Sequence, residues 1–308
     1  MMMRGCARWL CLVLAAALVG LIGTLAPEVG HAQTQRTFDS PEAAIAALLE
    51  ALKRQDDTAV LGIFGAQYAD QIFGQDRDAA HEEQARFVAA AKQSLELRPD
   101  GEDRRIAYVG PRAWPLPIPI VLSGGVWRFD TEDGIDELTN QRIGGNELRT
   151  IDTVRAYVDA QNNYASEDRD GDQVLEYAQH IRSSPGKHDG LYWAAAPDQE
   201  PSPIGPLLAA AVEAHNVGNS YNGYYYRILT RQGANPPGGA YDYVINGNMI
   251  AGFALIAWPA NYGHSGIMTF VVNHQGKVYE KDLGLDTAQL AAAIDAYDPD
   301  PAWTEVTE

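Results

Sequence analysis

Four carboxylates stand close together in one short run. Asp168, Asp170, Asp172 and Glu176 form the pattern D-x-D-G-D-x-x-x-E. Hard oxygen donors at alternate positions of a tight loop suit Ca²⁺, which takes six to eight oxygen ligands. The EF-hand spacing is not met, because Gly171 falls at loop position 4 and Gln179 at position 12. The run therefore reads either as a calcium loop of another kind or as a solvated acidic helix end.

A second constellation is Gly263-His264-Ser265-Gly266. A His beside a Ser suggests nucleophilic catalysis. The strand-to-helix elbow that exposes such a serine needs G-x-S-x-G, and Ile267 occupies its last position. The glycines read more simply as a turn before a strand over 269–273. His264 is kept as the one catalytic candidate, in a site that only the fold could assemble. The histidines His180, His188, His215, His264 and His274 show no HxH or HExxH spacing, so zinc is not expected.

Aromatic residues supply the third kind of chemistry. Trp193, Trp258 and Tyr262, with His264, fall in or beside loops, where rings form contact surfaces by stacking and area burial. Tyr192, Tyr221, Tyr224, Tyr225 and Tyr226 accompany them. The alternative is that every second ring, such as Tyr224 and Tyr226, faces the core.

The elements that must position these groups follow from the patterning. Residues 222–284 hold the densest aromatic and β-branched content, broken by Gly, Pro and Asn, as in antiparallel strands joined by tight turns. Residues 250–258 read as a buried central strand. Before them, an approximately 3.6-residue period predicts a long helix over 146–167, with Leu148, Ile151, Val154, Val158 and Gln161 inward. A short helix is expected near 204–215. A last helix begins at Asp286, with Gln289 as capping partner and Leu290, Ala293 and Ile294 buried.

Earlier in the chain, Ser40-Pro41 starts a helix, Asp56-Asp57 a second that stops at Gly65, and residues 79–95 a third. Strands over 105–109, 118–122 and 126–129 follow, the last two around Ser123-Gly124-Gly125. The whole is an α+β protein. An N-terminal lobe of helices and a small sheet covers 36–143, and a C-terminal lobe with a long helix on an antiparallel sheet covers 144–308.

Residues 1–32 read as a cleavable signal: Arg4 and Arg8, an apolar run over 9–26, and small residues at Gly30 and Ala32. The expected location is the periplasm or the outside of the cell, with no membrane span after cleavage; the alternative is that the segment stays uncleaved as an N-terminal anchor. Both cysteines, Cys6 and Cys11, lie inside the signal, so the mature chain uses no disulfide. The formal charge of −18 becomes −19 without Arg4, Arg8 and Glu28. Such a surface repels nucleic acid.

The ordered series WPLPIPIVLSGGVWRFDTEDG, RIGGNELRTI, AQNNY, GLYW, SPIGPL, GYYYRIL and GGAYDYVINGNMIAGFALIAWPANYGHSGIMTF closely resembles the bacterial domain of unknown function family 2950. That resemblance implies an envelope-directed protein and carries no activity or ligand. The segment FDSPEAAIAALLEALKRQDDTAVLGIFG resembles the opening of nuclear-transport-factor-2-like domains, implying a cone with a pocket near Trp114, Trp127 and Phe129. Residues 146–282 look like the periplasmic domains of some type IV pilin-like proteins. In those the apolar N-terminal segment enters the helix directly, whereas here a whole lobe intervenes, so only the fold carries over.

The expectation is a non-catalytic envelope module that binds a protein or glycan through the aromatic, Gly-rich loops of its second half. The alternatives are a hydrolase around His264 and a calcium-stabilised domain. No other cofactor is expected.

Overall fold

A computed structural model describes residues 35–74, 77–169, 171–196, 198–205, 209 and 220–307. The expected signal segment, Asp170, His215 and nearly all of the short helix expected near 204–215 lie outside the described residues.

Helix α1, Pro41–Lys53, starts as its sequence dictates. Ser40 is extended and its hydroxyl accepts the Ala43 N–H, with Pro41 at a position whose missing N–H costs nothing. In α2, Asp57–Phe64, Asp56 caps the start in the same way, accepting from Ala59 N. Helix α3 is the single turn Ala69–Phe73, and α4 is Arg77–Gln93. These helices cover an antiparallel sheet of β1 (Leu95–Pro99), β2 (Arg104–Val109), β3 (Trp114–Pro115), β4 (Ile120–Ser123) and β5 (Val126–Phe129). The order is β1-β2-β4-β5, with β3 also paired to β2. Their core gathers Leu48, Ile63, Phe73, Ile118, Ile120 and Phe129.

The long helix α5 spans Thr131–Tyr164, beginning 15 residues before the expected Asn146. Gly134, Gly144 and Gly145 do not break it. Gly134 is there for space, since a Cβ would come within 2.5 Å of the Pro117 carbonyl oxygen and 2.6 Å of Ile118 Cα. The expected junction at Gly144-Gly145 therefore lies inside one helix. Ile135 of α5 sits in the first core, while Val154, Tyr157, Ala160 and Tyr164 sit in a second. Arg169 closes the helix end by donating to the Asn163 and Tyr164 carbonyls, which suits a cation at a helix C-terminus.

The second core lies on a five-stranded antiparallel sheet in the order β14-β13-β12-β11-β6. The strands are β6 (Tyr224–Leu229), β11 (Ala254–Pro259), β12 (Met268–Asn273), β13 (Val278–Asp282) and β14 (Thr304–Glu305). Two short pairs stand beside it: β7 (Arg231–Gln232) with β8 (Tyr241–Asp242), and β9 (Val244–Ile245) with β10 (Asn248–Met249). Asn246 and Gly247 both have positive φ, as the tight turn between β9 and β10 requires.

Strand alternation assigns the two faces of the large sheet. Tyr224 and Tyr226 face α5, and Tyr226 Oη bonds Thr150 Oγ1 at 3.3 Å. Arg227 points to the other face. There it donates to the Ala291, Ala292 and Ile294 carbonyls at the end of α6, Thr287–Ala293. Helix α6 turns Thr287 and Ala291 inward and leaves Leu290 exposed, one position off the expected face. Its start is held by Thr287 Oγ1 donating to Gly284 O, and no side chain caps it from Asp286. The expected central strand begins at Ala254 rather than 250, because Gly252 at φ +144 turns the chain first. Among the described residues no helix is long and apolar enough to cross a membrane.

Candidate functional site

Polar side chains gather where the middle of α5 meets the loop between β11 and β12. Asn146 is buried, and its Nδ2 donates to Ser265 O at 2.8 Å. Glu147 follows, and its Oε1 accepts from both Ile267 N at 2.9 Å and Met268 N at 3.0 Å. One helical turn thus holds the end of the loop. Arg149 Nη2 donates to Asn146 Oδ1 at 2.7 Å, which fixes that amide's orientation, and to Glu83 Oε1 on α4 at 3.2 Å.

The loop also binds itself. Asn261 O accepts from His264 N and Ser265 N, and Gly266 O accepts from Gly263 N. Ser265 Oγ accepts from Asn261 N at 2.9 Å and donates to Asn261 O at 3.1 Å. Two glycines allow the close fit. A Cβ at Gly223 would lie 2.6 Å from Asn146 Nδ2, and one at Gly266 would lie 2.1 Å from Tyr224 Oη. Tyr224 Oη donates to Met268 O at 2.9 Å. Burial, with the Glu147 carboxylate beside it, pushes this phenol far up from its ordinary range.

Two of the sequence candidates are presented outward on this loop. His264 is exposed. Tyr262 is partly exposed and its Oη donates to Asp282 Oδ2 at 3.2 Å, a bond that raises the phenol's pKa. The Ser265 hydroxyl is engaged with Asn261 on both its donor and acceptor sides.

The other two ring candidates lie elsewhere and are core residues. Trp193 is 7% exposed, its Nε1 donates to Glu200 O at 3.0 Å, and His188 stacks on it at 4.2 Å. Trp258 is also 7% exposed and packs against Tyr225 at 5.9 Å on the α6 face. Neither offers a free face for stacking. Of the cone residues, Phe129 is buried against Phe64 and Trp114 is exposed on the surface.

The acidic loop is tied inward by hydrogen bonds. Asp168 accepts from Gly171 N and Gln173 N. Asp172 accepts from Val174 N and from Asn248 Nδ2, and Glu176 accepts from Met249 N. These bonds attach the run to the β9–β10 hairpin. Asp170 is outside the described residues. Among the described residues no three His, Cys, Asp or Glu side chains gather as metal ligands.

His274 sits apart, edge-on to Tyr243 at 5.9 Å and to Phe253 at 6.3 Å. Its Nδ1 is buried without a hydrogen-bond partner, and burial lowers the ring's pKa from 6.5. The fold therefore favours the neutral ring. Its contribution is complete above pH 6.5 and is lost as pH falls from there through the lowered folded value. Thermal melts between about pH 8 and pH 5 should show a steeper loss of stability in wild type than in His274→Phe. Equal slopes would remove His274 as a source.

Glu147 and Asn146 escaped the sequence reading. Their signal was polar residues on the inward stripe of a helix, which also describes an ordinary solvated face.

The architecture is that of an α+β protein: helices on a small antiparallel sheet, a long internal helix, and a second antiparallel sheet carrying a braced polar loop. The chain belongs to the family described as protein of unknown function (DUF2950), whose model matches residues 35–306. No curated protein and no solved structure matches the chain.

Proposed function

We propose that the protein is an extracytoplasmic, non-catalytic interaction module, and that the loop over 259–266 is its recognition surface. The observation that carries this reading is the bracing of that loop. Asn146 and Glu147 hold it from beneath, Ser265 and Asn261 hold it from within, and Tyr262 and His264 are left facing outward. A loop already fixed in its bound shape loses little entropy on association. Hydrolysis would need an activated nucleophile, and the loop's serine is spent on the backbone.

The partner class is an envelope protein or glycan, in keeping with a signal over 1–32 cleaved after Ala32 and delivery to the periplasm or exterior. The long helix crossing an antiparallel sheet supports the pilin-like reading of the second half. The helices on a small sheet support the nuclear-transport-factor-2-like reading of the first.

Tyr262→Ala/His264→Ala tests the reading. Both side chains lie outside the cores, so the melting temperature should stay within about 2 °C of wild type, as for a surface change. Crosslinking of the mature protein in its native envelope should lose its adduct, while Leu285→Ser, an exposed change elsewhere, should keep it. Full retention of the adduct by the double variant would refute the reading.

A further inference from the structure

The bracing of the loop contains a feature that recognition alone does not require. Glu147, whose Oε1 clamps Ile267 and Met268, packs on the face of the sheet that also carries a second carboxylate. Glu280 is on β13, paired in register with Phe270. Alternation puts Glu280 on the face that packs against α5, and α5 touches both β12 and β13. Tyr224, on the same face, reaches the clamped segment, its hydroxyl donating to Met268 O at 2.9 Å.

We propose that Glu280 is a proton-controlled counterweight to the Glu147 clamp: protonated, it leaves the 259–268 segment locked on α5; ionised, it repels Glu147 and loosens that segment. This deepens the recognition reading above and rests on it for its purpose.

The charged and titratable groups around the pair are few. From α5 come Glu147 and Arg149, and Arg149 is committed to Asn146 and Glu83. From β6 comes Tyr224, whose hydroxyl is committed to Met268 O. From β13 comes Asp282, which accepts from Tyr262 and Gly284 N. Lys281 points to the opposite face and pairs with Asp300. No cation described there neutralises Glu280. Burial first, then the Glu147 charge, raises the Glu280 pKa from 4.5. A raised carboxyl favours the folded clamp when protonated. The repulsive penalty is complete above the folded value and fades as pH falls through it.

Amide hydrogen exchange of the full mature chain reads this directly, with each rate referenced to its intrinsic rate at the same pH. The protection of the Ile267 and Met268 amides should be lower at about pH 7.5 than at about pH 5 in wild type, because the raised Glu280 carboxyl ionises across that interval. Glu280→Gln should hold the acid-side protection at both pH values. Glu147→Gln should lower protection throughout and flatten the response. A wild type without pH response, or a Glu280→Gln variant with the wild-type response, overturns the proposal. Carbon NMR titration of the wild-type Glu280 carboxyl serves even where a variant folds poorly: the Met268 amide shift should follow it, and independence of the two would also overturn the proposal. A flat exchange profile alongside loop-dependent crosslinking defeats the counterweight alone. A responsive profile with crosslinking indifferent to Tyr262 and His264 defeats the recognition reading alone.

Discussion

Gly266→Ala is expected to destabilise the protein by about 3 kcal/mol, the upper part of the range for overpacking a closed site. The reason is space. The new Cβ would stand 2.1 Å from Tyr224 Oη, 2.5 Å from Cζ and 2.6 Å from Cε2. Such distances require one partner to move, and Tyr224 has nowhere to go. It is fully buried, its ring lies 5.8 Å from Phe270, and its hydroxyl is bonded to Met268 O. Displacing it would leave that carbonyl without its donor. Gly263 is the internal control. It has a positive φ of +76° and nothing within 4 Å of a Cβ, so Gly263→Ala pays only conformational strain, about 1 kcal/mol. Urea titration of both variants measures the difference. A Gly266→Ala loss no larger than that of Gly263→Ala would show that the loop yields easily, contrary to the bracing described.

Gln161→Leu is expected to cost a similar amount, about 3 kcal/mol, by stranding buried backbone groups. Gln161 is fully buried on α5. Its Nε2 donates to Ala178 O at 2.8 Å and Tyr157 Oη at 2.9 Å, and its Oε1 accepts from Ala178 N at 2.8 Å. The amide thus pairs with both backbone groups of one residue, as a neighbouring strand would. Leucine fills a similar volume and answers neither group. The result should appear as a lower urea midpoint and faster exchange of the Ala178 amide. A loss below about 1 kcal/mol would mean that Ala178 finds other partners in the variant.

Much of the fold was legible because it rests on local rules. Ser40-Pro41 and Asp56 marked helix starts, Gly65 a stop, and the alternation of Tyr224 and Tyr226 a buried strand face. The N-terminal part of α5 was hidden by glycines that normally argue against helix. Gly134 is there because Pro117 and Ile118 approach it, a contact made across the fold and invisible in one sequence. Leu148 was expected inward and is 67% exposed, because the inward stripe beside it is formed by Asn146 and Thr150. Hydrophobic periodicity cannot find a buried stripe written partly in polar residues.

The candidate site divided along the same line. Tyr262 and His264 were expected at a turn because their loop is flanked by glycines, and both stand on that loop with His264 exposed and Tyr262 partly so. Trp193 and Trp258 were drawn to the surface by their nearness to loops, whereas Trp193 is covered by His188 and Arg169 and Trp258 by Tyr225. Glu147 was missed because its partners, Ile267 and Met268, lie about 120 residues away in sequence.

The loop over 259–266 is the surface proposed to meet a partner. The direct measurement places a photoreactive amino acid at position 264 and, separately, at exposed position 285, and irradiates each mature protein in its native envelope. A discrete adduct from position 264, absent from position 285 and weakened when Glu147→Ala removes the acceptor of the Ile267 and Met268 amides, is the predicted result. Adducts of equal yield from both positions, or none from position 264, would contradict it.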